Sequence, residues 1–556
     1  MSRRSAPSAL SWDDVPRLSA RVAVEPRRGT EGMRIVTVEG VPSSRVSDPV
    51  ARLLVAMDGR TTVRGLKEGF APDEADDDFL ALLRRVQRSG LLAGAERRPS
   101  GRAVFRPPLT IQVATLRAPG LFAVVDRVVG RIPMRWSAAT AVLLAVAGGA
   151  AAVLQHGALG RALVSPVPLG VLLVVALSMM LATLVHEAAH GAVLTRFGEA
   201  PRRAGIMLLY LAPAFFVDVT NGWRLPDRRA RVAVALAGPG VHAALGGICF
   251  LAAGVTGDGA ARTALLLLGA ASTGVVLVNL IPFVRFDGYL ALMSWLDEPG
   301  LRARTIADAG DAVRRLLFGG PPAPLRLDRW WGVPFGLLSA TAPVALVLYA
   351  VGRVLHALSG GGVLAAGAAL LIVLVLVVSG AALLVRALIR IARSGVRPIR
   401  LIAVAALLGA TVGVTGAAIR IPETVVAGYV VAEGRIDLVA PPGAVPGPFP
   451  DGATVELLAR GLLAEVPVAD GIVSEAAGRG GSGAVRTVPT GALLPVEVAG
   501  AGIPAASIGS VHLDLRGRSI PETGAARIHI GTADLWRTAW RDLVAAPVAA
   551  LLGGAR

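Results

Sequence analysis

The run His186-Glu187-Ala188-Ala189-His190 has residue types and a spacing suited to metal-assisted hydrolysis. Histidines at i and i+4 share one helical face, so both imidazoles can reach a single Zn2+. Glu187 between them can then serve as general base toward a water that the metal activates. With 7 histidines in 556 residues, chance is a weak explanation for this spacing. The flanks, residues 167–185 and 191–194, are apolar enough to lie at lipid depth. Two imidazoles and a carboxylate are costly there and mark a functional site by default. The competing explanation is polar glue between membrane helices. The pattern points to a zinc hydrolase whose site lies within the bilayer.

The elements that must carry such a site are long apolar helices. Hydrophobic residues make up 54% of the chain and mean hydropathy is +0.62, which suits a polytopic membrane protein. Stretches long enough to cross hydrocarbon lie at about 137–155, 167–194, 231–256, 263–283, 331–352, 362–385 and 401–419, giving about seven spans. The net charge of +17 is carried almost wholly by arginine. Arginines concentrate between spans two and three, four and five, and six and seven, while the other connections are nearly neutral. The positive-inside rule then puts those loops and the N-terminus in the cytoplasm and the region after about residue 420 outside. This distribution makes the basic charge a topology signal rather than a nucleic-acid site. The polar stretch 1–50 is not the sequence of a cleavable signal peptide. Cys249, the single cysteine, excludes a disulfide framework and reads as packing.

In that orientation spans two and four both run inward. His186 and His190 approach the cytoplasmic end of the second, and the fourth ends in Asn279-Leu280-Ile281-Pro282-Phe283-Val284-Arg285-Phe286-Asp287-Gly288. Zinc bound by two histidines needs a third protein ligand and keeps a fourth position for water. Asp287 is the candidate, because Pro282 breaks the helix and Gly288 permits a tight turn. Residues 205–220 are apolar, interrupted by Pro213 and too short to span. They read either as a re-entrant hairpin or loop beside the zinc, able to pair with an extended substrate, or as an interfacial helix without a substrate role.

The two motifs together resemble the site-2 protease family of intramembrane zinc metalloproteases over roughly residues 167–295. The resemblance implies His186, His190 and Asp287 as metal ligands, Glu187 as catalytic base and Asn279 near the substrate or oxyanion. Ala237-Gly238-Pro239-Gly240 is similar to a Gly-Pro motif of the family. His242 stands where many members carry asparagine, with substrate hydrogen bonding and helix packing both open to it.

The flanks read differently. Residues 1–100 form a small α+β, winged-helix-like unit, with a strand at 33–39 and helices at 48–57, 61–70 and 76–89. This order resembles the PqqD-like domain that recognises leader peptides of ribosomally made, modified peptides. Asp73, Glu74, Asp76, Asp77 and Asp78 form a face that repels phosphate. Residues 101–136 read as a linker and interfacial helix, 137–295 as the metalloprotease core, 296–330 as a cytoplasmic loop and 331–420 as three further spans. Residues 421–556 read as a β-rich extracytoplasmic domain, with a flexible loop at 478–483 and an amphipathic tail at 535–552.

The expectation is a multi-pass zinc endopeptidase of a bacterial (inner or plasma) membrane. It would cleave a membrane-associated or leader-bearing peptide precursor, as in maturation of a modified, daptide-like peptide. Its partners would be that precursor, the leader held by the N-terminal domain, and the bilayer, with no nucleic acid. The alternatives are regulated cleavage of a signalling protein, or a peptide export or immunity protein without proteolytic activity.

Overall fold

The computed structural model describes residues 10–26, 33–38, 41–93, 103–106, 110–115, 118–209, 212–319, 324–358, 362–393, 395–432, 434–442, 452–462, 465–476, 485–512 and 520–553. The chain divides into two compact units. Met1–Ala145, Met179–Leu245 and Ser272–Gly300 form the first, and Val146–Ser178, Gly246–Ala271 and Leu301–Arg556 form the second.

The first unit opens with strands β1 (Val22–Val24), β2 (Met33–Val38) and β3 (Val41–Ser47), paired antiparallel in that order. Helices α1 (Asp48–Ala56), α2 (Val63–Phe70) and α3 (Asp76–Ser89) follow. Local chemistry sets their ends. Pro49 sits in the first turn of α1, where its missing N–H is no loss. Thr62 caps α2 by accepting the Gly65 N–H. Asp76, Asp77 and Asp78 meet the positive end of the α3 dipole, and Gly90 closes that helix at φ 82°. The apolar faces meet around Leu54, Met57, Leu66, Phe79 and Leu83. The expected strand and three helices are all present, while β1 and β3 are additional.

The linker reading of 101–136 is corrected in part. Strands β4 (Ala103–Arg106) and β5 (Thr110–Thr115) lie there, followed by helix α4 (Ala118–Val129). Strand β5 pairs on one side with the neighbouring β4 and on the other with β7, about a hundred residues later, a partner of which local sequence gives no sign. Pro107 and Pro108 fall outside the described residues.

Next come helices α5 (Met134–Leu154) and α6 (His156–Val164), the short strand β6 (Val167–Pro168) and helix α7 (Leu169–Arg196). Strands β7 (Ala204–Leu209) and β8 (Ala212–Val217) form a hairpin, and a 3-10 turn covers Thr220–Arg224. With β4 and β5 they make a four-stranded sheet in the order β4-β5-β7-β8. The described residues of 205–220 are therefore a β-hairpin and a 3-10 turn rather than an interfacial helix. Helices α8 (Arg228–Val255), α9 (Ala260–Asn279), α10 (Asp287–Leu296), α11 (Leu301–Phe318), α12 (Gly332–Leu358), α13 (Gly362–Ala392) and α14 (Pro398–Ala418) complete the helical part.

Seven helices among the described residues are long and apolar enough to cross a membrane: α5, α7, α8, α9, α12, α13 and α14. They coincide closely with the seven apolar runs of the sequence. In the second unit, α5 and α8 approach at Gly148 and Gly247, where a Cβ on Gly148 would fall 2.2 Å from the Gly247 Cα. Small residues allow such backbone contact between membrane helices.

The expected loop at 296–330 instead carries α11. This helix packs on α12, with the Arg302 guanidinium donating to the Ser339 carbonyl at 2.8 Å. Asp308, 2% exposed, accepts the N–H groups of Arg326 at 2.9 Å and Leu327 at 3.0 Å. Burial pushes its carboxyl upward, but these donors and the Arg326 guanidinium outweigh burial and hold it below the ordinary carboxylate range.

The second unit ends in strands β9 (Arg420–Ala432), β10 (Arg435–Ala440), β11 (Thr454–Arg460), β12 (Glu465–Ala476), β13 (Val485–Pro489), β14 (Val496–Glu497), β15 (Gly502–His512) and β16 (Thr523–Asp534). The order β10-β9-β16-β11-β12-β15 closes into a barrel through pairing of β10 with β15, and β13 adds to β15. Closure leaves no open sheet edge around the ring. Tyr429, Ile436, Leu438, Leu457 and Ile528 fill it. Parallel pairing of β14 with β6 ties the barrel to the connection ahead of α7. The expected loop at 478–483 lies outside the described residues. The tail is helical from α15 (Leu535–Trp540) through a π-turn to α16 (Ala546–Gly553), and it packs on α13 and α14. Trp536 anchors it by donating to the Gly413 carbonyl at 3.0 Å.

Candidate metal centre

Helix α7 puts His186 and His190 one turn apart, and α10 begins at Asp287 directly after the break at Pro282. Gly288 does not supply a left-handed turn. It allows close approach, since a Cβ there would meet the Leu280 backbone at 2.6 Å. That contact folds the start of α10 back on the end of α9 and aims Asp287 at the histidines.

The Nε2 atoms of His186 and His190 are 3.2 Å apart. Asp287 Oδ2 lies 3.2 Å from the first and 3.5 Å from the second. Zinc–ligand bonds near 2.05 Å at tetrahedral angles would separate ligand atoms by about 3.3 Å. The three donors, within 4.8 Å of one another, therefore already stand at the spacing a shared ion needs. Asp287 Oδ2 is buried with no hydrogen-bond partner, although it faces both imidazoles. Two imidazole nitrogens and a carboxylate oxygen converging at this spacing fit a cation, and that donor set fits zinc.

The surroundings orient these donors. His190 Nδ1 lies 2.7 Å from the Val234 carbonyl of α8. An Nδ1–H donated there leaves the Nε2 lone pair for metal. Gly238 on the same helix provides the space: a Cβ would meet His190 Nε2 at 2.4 Å and His186 Nε2 at 2.5 Å. Gly191 admits the Phe122 ring of α4 against α7 in the same way. Gly238→Ala is thus expected to displace the imidazoles and lower zinc affinity at least about tenfold, read by chelator competition. Unchanged affinity would contradict this placement of Gly238.

Glu187 stands apart from the donor cluster. Its Oε2 accepts the Val217 N–H at the end of β8 at 3.0 Å. A cavity of about 190 Å³ is lined by Glu187, His190 and Asp287 together with Val217, Trp223 and Arg231. The cavity gives a substrate carbonyl and a water room beside both the carboxylate and the donors.

The two remaining candidates are placed differently. His242 is 1% exposed, with its ring centroid 5.3 Å from that of His186, so it packs beside the cluster without joining the three donors. Asn279 turns back on its own helix, donating to the Val275 carbonyl at 3.0 Å, and does not line the cavity. Val234 and the Val217 N–H carry no chemical label in the sequence. The Gly-Pro motif was the one sign that α8 approaches the site. The chain matches no protein-family model, no curated protein and no solved structure.

Proposed function

We propose that this chain is a zinc endopeptidase of the site-2 protease kind, cleaving a peptide bond at membrane depth. The observation that carries this reading is the convergence of His186 and His190, beside Glu187 on the membrane-length helix α7, with Asp287 at the start of the short helix α10. Bound zinc would act as a Lewis acid toward the scissile carbonyl and lower the pKa of water. Glu187 would take the proton of the attacking water and deliver it to the leaving amine. The Val217 N–H fixes that carboxylate's direction. Among the described residues β8 pairs only with β7, so its outer edge can accept an extended peptide beside the cavity.

The acidic, PqqD-like N-terminal domain favours recruitment of a leader-bearing precursor and maturation of a modified peptide. Cleavage of such a precursor by the purified protein should stop when metal is chelated and return when zinc is added. Activity that survives complete removal of zinc would contradict the reading.

The arginine-rich loops favour a cytoplasmic N-terminus and an extracytoplasmic barrel in a bacterial cell membrane. Reporter fusions at Gly94 and Pro321 should report inside, and one at Ser482 outside. A cytoplasmic Ser482 would mean that one of the seven helices does not cross.

A further inference from the structure

Arg231 is 3% exposed, and the proposed chemistry makes no use of it. Its Nη1 donates to the carbonyls of Leu225 at 2.7 Å and Pro226 at 3.2 Å, and its Nη2 to Asp297 Oδ1 at 2.5 Å. The Trp223 ring lies 5.8 Å from the guanidinium carbon. A charge so deep in protein persists only when it is matched by an opposite charge.

One end of this pair stands on α8, which packs against the donors, and the other at the end of α10, which carries Asp287. Arg231 precedes Val234 by one turn of α8, and the Val234 carbonyl holds His190. Asp297 caps α10, whose first residue is Asp287. A ten-residue helix is a rod about 15 Å long, so fixing its far end fixes the direction of its first residue. Asp297 is also the one non-glycine residue with positive φ among those described, at 53°. Such a backbone costs energy and persists where its surroundings demand it. Arg231 further lines the cavity that Glu187, His190 and Asp287 share.

We propose that Arg231 and Asp297 form a clasp that fixes α10, which carries Asp287, against α8, which orients His190, so that the three donors keep the spacing zinc requires. They are positioning residues for the metal, acting through His190 and Asp287. The proposal rests on the zinc reading above.

The test is the zinc dissociation constant, measured by competition with a chromophoric chelator. Asp297→Gly removes the carboxylate while suiting a left-handed cap. Asp297→Asn keeps an acceptor oxygen on a residue that tolerates the same backbone. Asp297→Gly is expected to weaken zinc about 10- to 100-fold, and Asp297→Asn, which keeps the acceptor but leaves the Arg231 charge unmatched, by a smaller factor. Arg231→Lys, which keeps the charge but loses the fork, should weaken zinc in the same direction and serves if the glycine variant does not fold. Asp308→Ala is the control. It strands two backbone N–H groups in the second unit, and should lower Tm while leaving zinc affinity unchanged. Wild-type affinity in Asp297→Gly or Arg231→Lys, or an equal loss in Asp308→Ala, would overturn the clasp alone. A wild-type protein that binds no zinc would overturn the clasp and the metal reading together.

Discussion

Asp287→Ala is expected to strip most of the zinc from the purified protein, from about one ion per chain to a small fraction of that. The two imidazoles come from one turn of α7, and Asp287 is the donor that a second element brings to them. Without it, zinc would keep two protein ligands where catalytic sites use three. His242 makes a poor substitute, because it packs against the His186 ring outside the donor cluster. Metal analysis of detergent-purified protein, with Tm measured alongside, gives the result. Full zinc occupancy in a folded Asp287→Ala protein would assign the third ligand to another residue. Such a result would leave the histidine pair standing.

The parts of this molecule that were legible in the sequence are those with a local period or a local break. Helices long and apolar enough to cross a membrane announce themselves through long apolar runs, and all seven among the described residues fall where those runs lie. His186 and His190 are legible because one helical turn sets their relation, and Asp287 because Pro282 and Gly288 mark a chain reversal. Contacts between elements distant in sequence were not legible. Strand β5 lies between the neighbouring β4 and the distant β7, and the residues around it read as linker. Helix α11 is amphipathic, and its arginines matched those of a basic loop until Asp308 and Ser339 showed what it packs against. Asn279 was placed by motif alone, and its side chain bonds within its own helix. The clasp between Arg231 and Asp297 joins residues 66 positions apart. Arg231 stands in a run of arginines where a topology signal hides a buried ion pair.

The central claim is that Glu187 drives hydrolysis at a metal held by its neighbours. Glu187→Gln tests it most directly, because glutamine keeps the shape and can still accept the Val217 N–H, yet cannot take a proton. Loss of a general base costs on the order of 10² to 10⁴ in rate. In cells producing the precursor with this variant, mass spectrometry should find the precursor uncleaved, with protein level and zinc content equal to wild type. An export or immunity protein would give cleaved peptide in both strains. Normal cleavage by Glu187→Gln would contradict the account at its centre.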